Sequence, residues 1–159
     1  MENKHKKDRL DQSDLAILEI LQQEGRISNT ALAERIHLSP PACLARVKRL
    51  RSSGIIRGYH AQLDRSSLGL DNLCFIELSL ELHQPEQMQQ ILECIVGMPE
   101  VLECHHLTGE YDYLLKVLVA NTEALHDFIS RQLIPIPGIA RIHTSVVLRE
   151  IKTSTNLPL

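Results

Sequence analysis

The stretch Ser28–Ser53, SNTALAERIHLSPPACLARVKRLRSS, decides how the rest of the chain is read. Ser28 stands as a helix N-cap ahead of the apolar positions Ala31, Leu32 and Ile36. Ser39 stands as a second N-cap ahead of Pro40, which is tolerated at a first helical position because its missing N–H has no intrahelical partner there. His37 and Leu38 make the turn between the two helices, and Ala33 is small where they must cross closely. Projected at about 100° per residue, the later helix aligns Cys43, Val47, Leu50 and Gly54 along a core-facing stripe. Pro41, Ala45, Lys48, Arg49 and Ser52 fall on the opposite side with Ala42 near them, while Arg46 and Arg51 lie at the flanks, in reach of a phosphate backbone.

This is the pattern of a helix-turn-helix, whose second helix enters the DNA major groove. Small residues near its start allow close approach to base edges, and Ser39 with the helix N-terminus can receive a phosphate. The expected DNA-contacting set is Ser39, Pro41, Ala42, Ala45, Arg46, Lys48, Arg49, Arg51 and Ser52. The plain alternative is an exposed basic helix face with no partner.

Upstream, residues 1–9 read as a flexible basic arm. Asp11 is positioned as an N-cap with Asp14 three residues on, followed by the stripe Leu15, Ile17, Leu18, Ile20 and Leu21, with Gly25 as a stop. Downstream, Gly54 ends the basic helix, and Ile55, Ile56, Tyr59, Ala61 and Leu63 suggest an extended segment. The DNA-binding domain then spans 10–63, and residues 64–72, with Gly69 and two serines, read as a linker.

From 73 to 159 the pattern changes. Cys74, Ile76, Leu78, Leu80 and Leu82 alternate with Phe75, Glu77, Ser79 and Glu81, the period of a strand with one buried face. A helix over Pro85–Val96, strands over Val101–Leu107 and Tyr111–Val119, a helix over Thr122–Leu133 and a strand over Ile139–Ile151 complete a βαββαβ order. That order predicts a ferredoxin-like antiparallel sheet with both helices on one face. The overall class is α+β: a winged-helix-like helix-turn-helix domain, then a ferredoxin-like domain. Apolar residues on the second sheet face, Phe75 and Leu118 among them, predict burial against another subunit.

Composition narrows the function. The net charge of −3 conceals an asymmetry: residues 1–66 hold twelve Lys and Arg against eight Asp and Glu, residues 67–159 five against twelve. A basic half beside an acidic half suits a polyanion-binding module joined to a different kind of domain. Aromatics at 3% make base-stacking on single strands a poor fit. No apolar run reaches the roughly 20 residues that span a bilayer. Met1–Arg9 lacks an apolar signal core, so a cytoplasmic protein with reduced thiols at Cys43, Cys74, Cys94 and Cys104 is expected.

Taken in order, several blocks resemble the Lrp/AsnC family of bacterial and archaeal transcriptional regulators. They are LDQSDLAIL from Leu10, GRISN from Gly25, Leu38-Ser39-Pro40, CLARVKRL from Cys43, Gly54-Ile55-Ile56, GEYDYLL from Gly109 and Pro137-Gly138-Ile139. They span nearly the whole chain, and Thr155–Leu159 looks like the leucine-responsive branch. The resemblance implies a DNA-binding domain plus a ligand-sensing domain, dimers assembling into octamers or similar rings, and control of amino-acid metabolism or transport. It also implies an amino-acid effector, leucine or another apolar one, bound between subunits near Leu107, Thr108, Gly109, Glu110, Asp112 and Tyr113, with Ser145 and Val147 on the facing strand. A physical rationale fits: amides around Gly109 can receive an α-carboxylate and Asp112 an α-ammonium. Two positions depart from the family pattern. His37 stands where glycine is common, so a left-handed turn there carries strain, and Pro41-Ala42 reorders the start of the recognition helix.

Three rival readings remain. Cys104-His105-His106 is a local metal-ligand cluster, but no further Cys or His closes a four-ligand set in sequence, and no metal or other cofactor is expected. No nucleophile elbow, phosphate loop or HExxH appears, so the chain does not read as an enzyme. An architectural DNA-binding protein without an effector is the third.

Overall fold

A computed structural model describes residues 10–81 and 85–159. The expected arm at 1–9 and Leu82 lie outside the described residues. The chain forms two compact units: one runs to Gln62 and also contains Lys152–Leu159, the other covers Leu63–Ile151.

The first unit holds α1 (Gln12–Gln23), α2 (Asn29–Arg35) and α3 (Pro40–Ser52). Asp11 caps α1 and forms a reciprocal box with Asp14, each carboxylate accepting the other's backbone N–H at 2.8 and 3.2 Å. α1 stops at Gln23, but Gly25 takes no left-handed conformation. An added Cβ at Gly25 would make only an ordinary van der Waals contact, 3.4 Å from the Tyr59 ring. Ser28 and Ser39 cap α2 and α3 by accepting from Ala31 and Ala42. The turn closes with Leu38 donating to the Ala33 carbonyl at 2.9 Å and with His37 at φ 55°, the left-handed conformation that glycine adopts freely. Asn29 ties the two helices by donating to the Pro40 carbonyl at 2.8 Å. Ile17, Leu32, Ala33, Cys43 and Leu50 form the small core.

Beyond Gly54 the extended segment to Leu63 forms no strand in the chain, because nothing pairs with it. The segment expected as a linker, 64–72, carries its own hydrogen bonds. Asp64 accepts from the Ser67 amide, Ser66–Leu68 makes a 3-10 turn, and Arg65 binds the carbonyls of Leu70 and Asp71 and the Glu150 carboxylate. Residues from Leu63 onward therefore belong to the second unit.

That unit contains β1 (Asn72–Leu80), α4 (Pro85–Val96), β2 (Val101–His106), β3 (Tyr113–Val119), α5 (Thr122–Asp127) and β4 (Ile139–Val146). The strands pair antiparallel in the order β2-β3-β1-β4, the ferredoxin-like arrangement. Cys74, Ile76, Leu78, Leu115 and Val117 pack under Ile91 and Ile95 of α4 and Leu125 of α5, so both helices cover one face. On the open face Phe75 is 37% exposed and Leu102 52%.

Two elements differ from the sequence pattern. The helix expected to Leu133 is α-helical only to Asp127, then runs as a π-helical turn over Phe128–Leu133, closed by Ile134 donating to the Ile129 carbonyl. Phe128 and Leu133, five residues apart, are both buried. A regular α-helix turns residues at that spacing to different sides, and the wider turn brings them to the same core. β4 ends at Val146 rather than Ile151, because β1, its one neighbour among the described residues, starts at Asn72; beyond the strand Val147 donates to the Leu73 carbonyl. Among the described residues, no helix is long and apolar enough to cross a membrane.

Candidate DNA interface and effector region

On α3, Cys43 and Leu50 are buried, while Pro41, Ala42, Ala45, Lys48, Arg49, Arg51 and Ser52 are exposed. Ser39 is exposed at the helix start, so the face projected from sequence is open as expected. Its cations are not equivalent. Arg46, 28% exposed, donates to Asp11 at 2.6 Å and to Asp14 at 2.9 Å. Arg49 also donates to Asp14, a carboxylate with no exposed surface. Arg46, expected to reach a phosphate, is placed against these carboxylates, and with Arg49 it buckles α3 to the capping box of α1. A buried carboxylate needs such partners, since an unpaired charge there is costly. The Arg46 guanidinium, then the Asp14 amide, hold the Asp11 carboxyl below the usual aspartate range.

Lys48 and Arg51 have no acidic partner among the described residues, and with Ser52, Ile56 and Arg57 they line a shallow cleft. Arg57 was not in the expected set, because it lies past the helix on a segment with no periodicity to orient it.

In the second unit the loop Leu107–Asp112 joins β2 to β3. Gly109 has φ 140°, a conformation reserved for glycine, and an added Cβ would meet nothing within 4 Å. Thr108, Gly109 and Glu110 are exposed. Asp112 is half-buried and already engaged: its carboxylate accepts the Leu80 N–H at 2.7 Å, its amide donates to Leu78, and its carbonyl accepts from Leu107. The side chain of Tyr113 turns inward. Only 3% exposed, it faces the helix-covered core and stacks on His106 with ring centres 4.9 Å apart.

The facing strand lies apart from the loop within one chain. Ser145 pairs with Phe75, four residues along β4 from Arg141, which pairs with Ser79. At about 3.3 Å per residue, Ser145 lies roughly 13 Å from the end of the strand that adjoins the loop. The side chains that meet the loop are instead Arg141, 3.7 Å from Glu110, and His143, whose ring stacks on Tyr111 at 6.0 Å. His143 also lies 4.0 Å from Glu77, giving the open sheet face an acid that had no signature in the sequence. One copy of the chain thus brings together the loop, Glu77, Tyr111, Arg141 and His143, and leaves Ser145 and Val147 apart.

The metal-like cluster separates as well. Cys104 packs against the core and the exposed His106 stacks on Tyr113, while His105 lies by Glu103 at 3.0 Å. Burial pushes the Cys104 thiol up.

A three-helix DNA-binding unit with an open basic helix, joined to a ferredoxin-like sheet with one open face, defines a DNA-binding regulator with a ligand-binding domain. Two family models match accordingly: winged helix-turn-helix DNA-binding over residues 10–57 and the Lrp/AsnC ligand binding domain over 73–157. The leucine-responsive regulatory protein of Escherichia coli K12 is 39% identical over 148 residues, covering 93% of this chain and 90% of that protein. A transcriptional regulator of Neisseria meningitidis, solved as an L-Met complex, superposes with a TM-score of 0.90 at 39% identity, covering 94% of this chain and 96% of that one. AsnC of Escherichia coli superposes with a TM-score of 0.86 at 28% identity, covering 93% and 98%. The chain belongs to the Lrp/AsnC family of transcriptional regulators.

Proposed function

We propose that this protein is a one-component transcriptional regulator whose oligomer presents several copies of α3 to paired DNA half-sites. The base-approaching residues are Pro41, Ala42 and Ala45 with Ser39 and Ser52, and the phosphate contacts are Lys48, Arg51 and Arg57. Arg46 and Arg49 hold the helix at its angle. The protein acts in the cytoplasm on genes of amino-acid metabolism or transport and carries out no catalytic step of its own.

Its effector is an apolar amino acid, leucine or methionine in size, bound where the loop Leu107–Asp112 of one subunit meets Ser145–Val147 of another. The observation that carries this reading is the separation of those two segments along β1 and β4 within one chain. Joining them takes a second copy, and the apolar open sheet face around Phe75 and Leu102 gives that copy a surface. The Neisseria relative's complex with L-Met supports an amino acid of this class. The α-ammonium would pair with Glu77 or the free oxygen of Asp112, and the α-carboxylate with the Gly109 amides or Arg141. A ligand held between subunits shifts the assembly by its differential affinity for the two arrangements, a coupling of about 1–3 kcal/mol. Octamers or comparable rings follow from repeating this contact.

The test is a thermal-shift screen against the twenty amino acids, followed by sizing and gel shifts on the DNA upstream of the protein's own gene. An apolar amino acid should raise the melting temperature and change the DNA-bound assembly. If none alters either, the protein is an architectural DNA-binding protein without an effector.

A further inference from the structure

The closing segment Lys152–Leu159 was assigned from sequence to the second domain, but it packs within the first unit. Its grip is specific. The Gln22 side chain of α1 donates to the Leu157 carbonyl at 3.2 Å and accepts the Leu157 N–H at 2.5 Å, so one amide reads both polar groups of one residue. Leu157 and Leu159 line a groove together with Leu18 and Leu21 of α1 and with Ile55, Ile56 and Tyr59. The segment does not fill this groove: about 800 Å³ stays open alongside it, Leu157 is 69% exposed and Leu159 49%.

We infer that this groove is a peptide-recognition site of the DNA-binding unit. Its ligand class is an extended, leucine-bearing peptide, its resident ligand is the chain's own Lys152–Leu159, and Gln22 is the residue that reads the peptide backbone. A bidentate amide contact of this kind is how an extended peptide is recognised independently of regular secondary structure, with apolar pockets adding side-chain preference. The half-exposed leucines and the unfilled space make the ligand releasable.

The site bears on α3 through two of its lining elements. Ile56 donates to the carbonyl of Leu50, the buried residue of the last turn of α3. The other element, α1, carries the Asp11–Asp14 box that Arg46 and Arg49 grip. A peptide spanning the groove ties together the two elements that set the pose of α3, so its release loosens that helix without touching its DNA-facing side.

The experiment uses the chain ended after Ile151 and a fluorescent peptide of residues Lys152–Leu159. Saturable polarisation is expected with the shortened chain, together with a rise in its melting temperature on adding unlabelled peptide. Binding to the full chain should be at least about tenfold weaker, because its own segment competes. Gln22→Met keeps the side chain's length but removes both hydrogen bonds, and should weaken peptide binding by about tenfold. Absence of binding to the shortened chain, equal binding to the full chain, or no change with Gln22→Met would each overturn the inference. Should the shortened chain fail to fold, full-length Gln22→Met serves instead. Tryptic cleavage after Lys152, followed by mass spectrometry, should accelerate at least about tenfold in that variant, and an unchanged rate overturns the inference.

Discussion

The two candidate sites are built on opposite plans. The surface proposed to meet DNA is built mostly on one helix, and a single copy of the chain exposes it. The region proposed for the effector draws on a loop, the end of one strand and the far end of another, and a single copy brings only part of these together. Within the helix a second contrast applies: cations adjacent in sequence divide into those that hold the fold and those left to meet a ligand. Number of charges and number of contacts are therefore different quantities, and experiments that separate them test the whole reading.

The largest effect is expected at Asp14. Asp14→Ala removes a buried carboxylate that two arginines and a capping amide share, and should cost about 2–3 kcal/mol of stability in denaturant unfolding. The freed guanidiniums are 28% and 49% exposed, so water meets part of their need and the loss stays below that of a fully buried pair. A cost under about 0.5 kcal/mol would mean the buckle is incidental.

Asp112 comes next. Asp112→Ala frees the Leu80 amide and should destabilise the second unit by about 1–2 kcal/mol. Asp112→Asn keeps an acceptor for that amide and should leave thermal stability nearly unchanged. If the asparagine variant also loses the amino-acid response, the charge itself serves the ligand. If only the alanine variant loses it, Asp112 merely shapes the loop.

Salt dependence then divides the cations. Lys48→Ala and Arg51→Ala should each lower the slope of log K against log salt by about one. Arg46→Met should weaken binding through a tilted helix yet leave the slope unchanged, and a slope change as large as that of Lys48→Ala would return Arg46 to the phosphate backbone.

The smallest effect is on acid stability. The Asp11 carboxyl is held low by Arg46, so its folded-state value lies below the unfolded one. The stabilisation is thus complete above the unfolded-state value and is lost as pH falls through the folded-state one. Arg46→Met should lower the melting temperature at neutral and alkaline pH and flatten the acid limb, its difference from the parent chain shrinking as pH falls through the folded-state value of Asp11.

What could be read from sequence followed the range of the forces involved. Pro85–Val96 and the alternation through β1 were legible because each depends on neighbours one to four residues away. The same holds for the open face of α3 and for the caps at Asp11, Ser28 and Ser39. Partners of Arg46 and Arg49 were not, since Asp14 lies 32 and 35 residues upstream and nothing local selects it over solvent. Tyr113 sits next to a correctly placed loop but on the inward side of β3, a matter of where the strand's alternation begins. Lys152–Leu159 has no periodicity, so only folding reveals the groove that receives it.

The π-helical turn after α5 has a consequence for chain length. Between Phe128 and Leu133 the chain carries one residue more than a regular helix needs to bury both side chains. Residues four apart share a helix face, so deleting Arg131, which is 77% exposed, would bring the pair to that spacing and let ordinary i to i+4 bonding continue through the segment. A shortened chain that still folds, with its far-ultraviolet helical signal intact, would mark this turn as a tolerated one-residue insertion, and the helix beneath as the older frame.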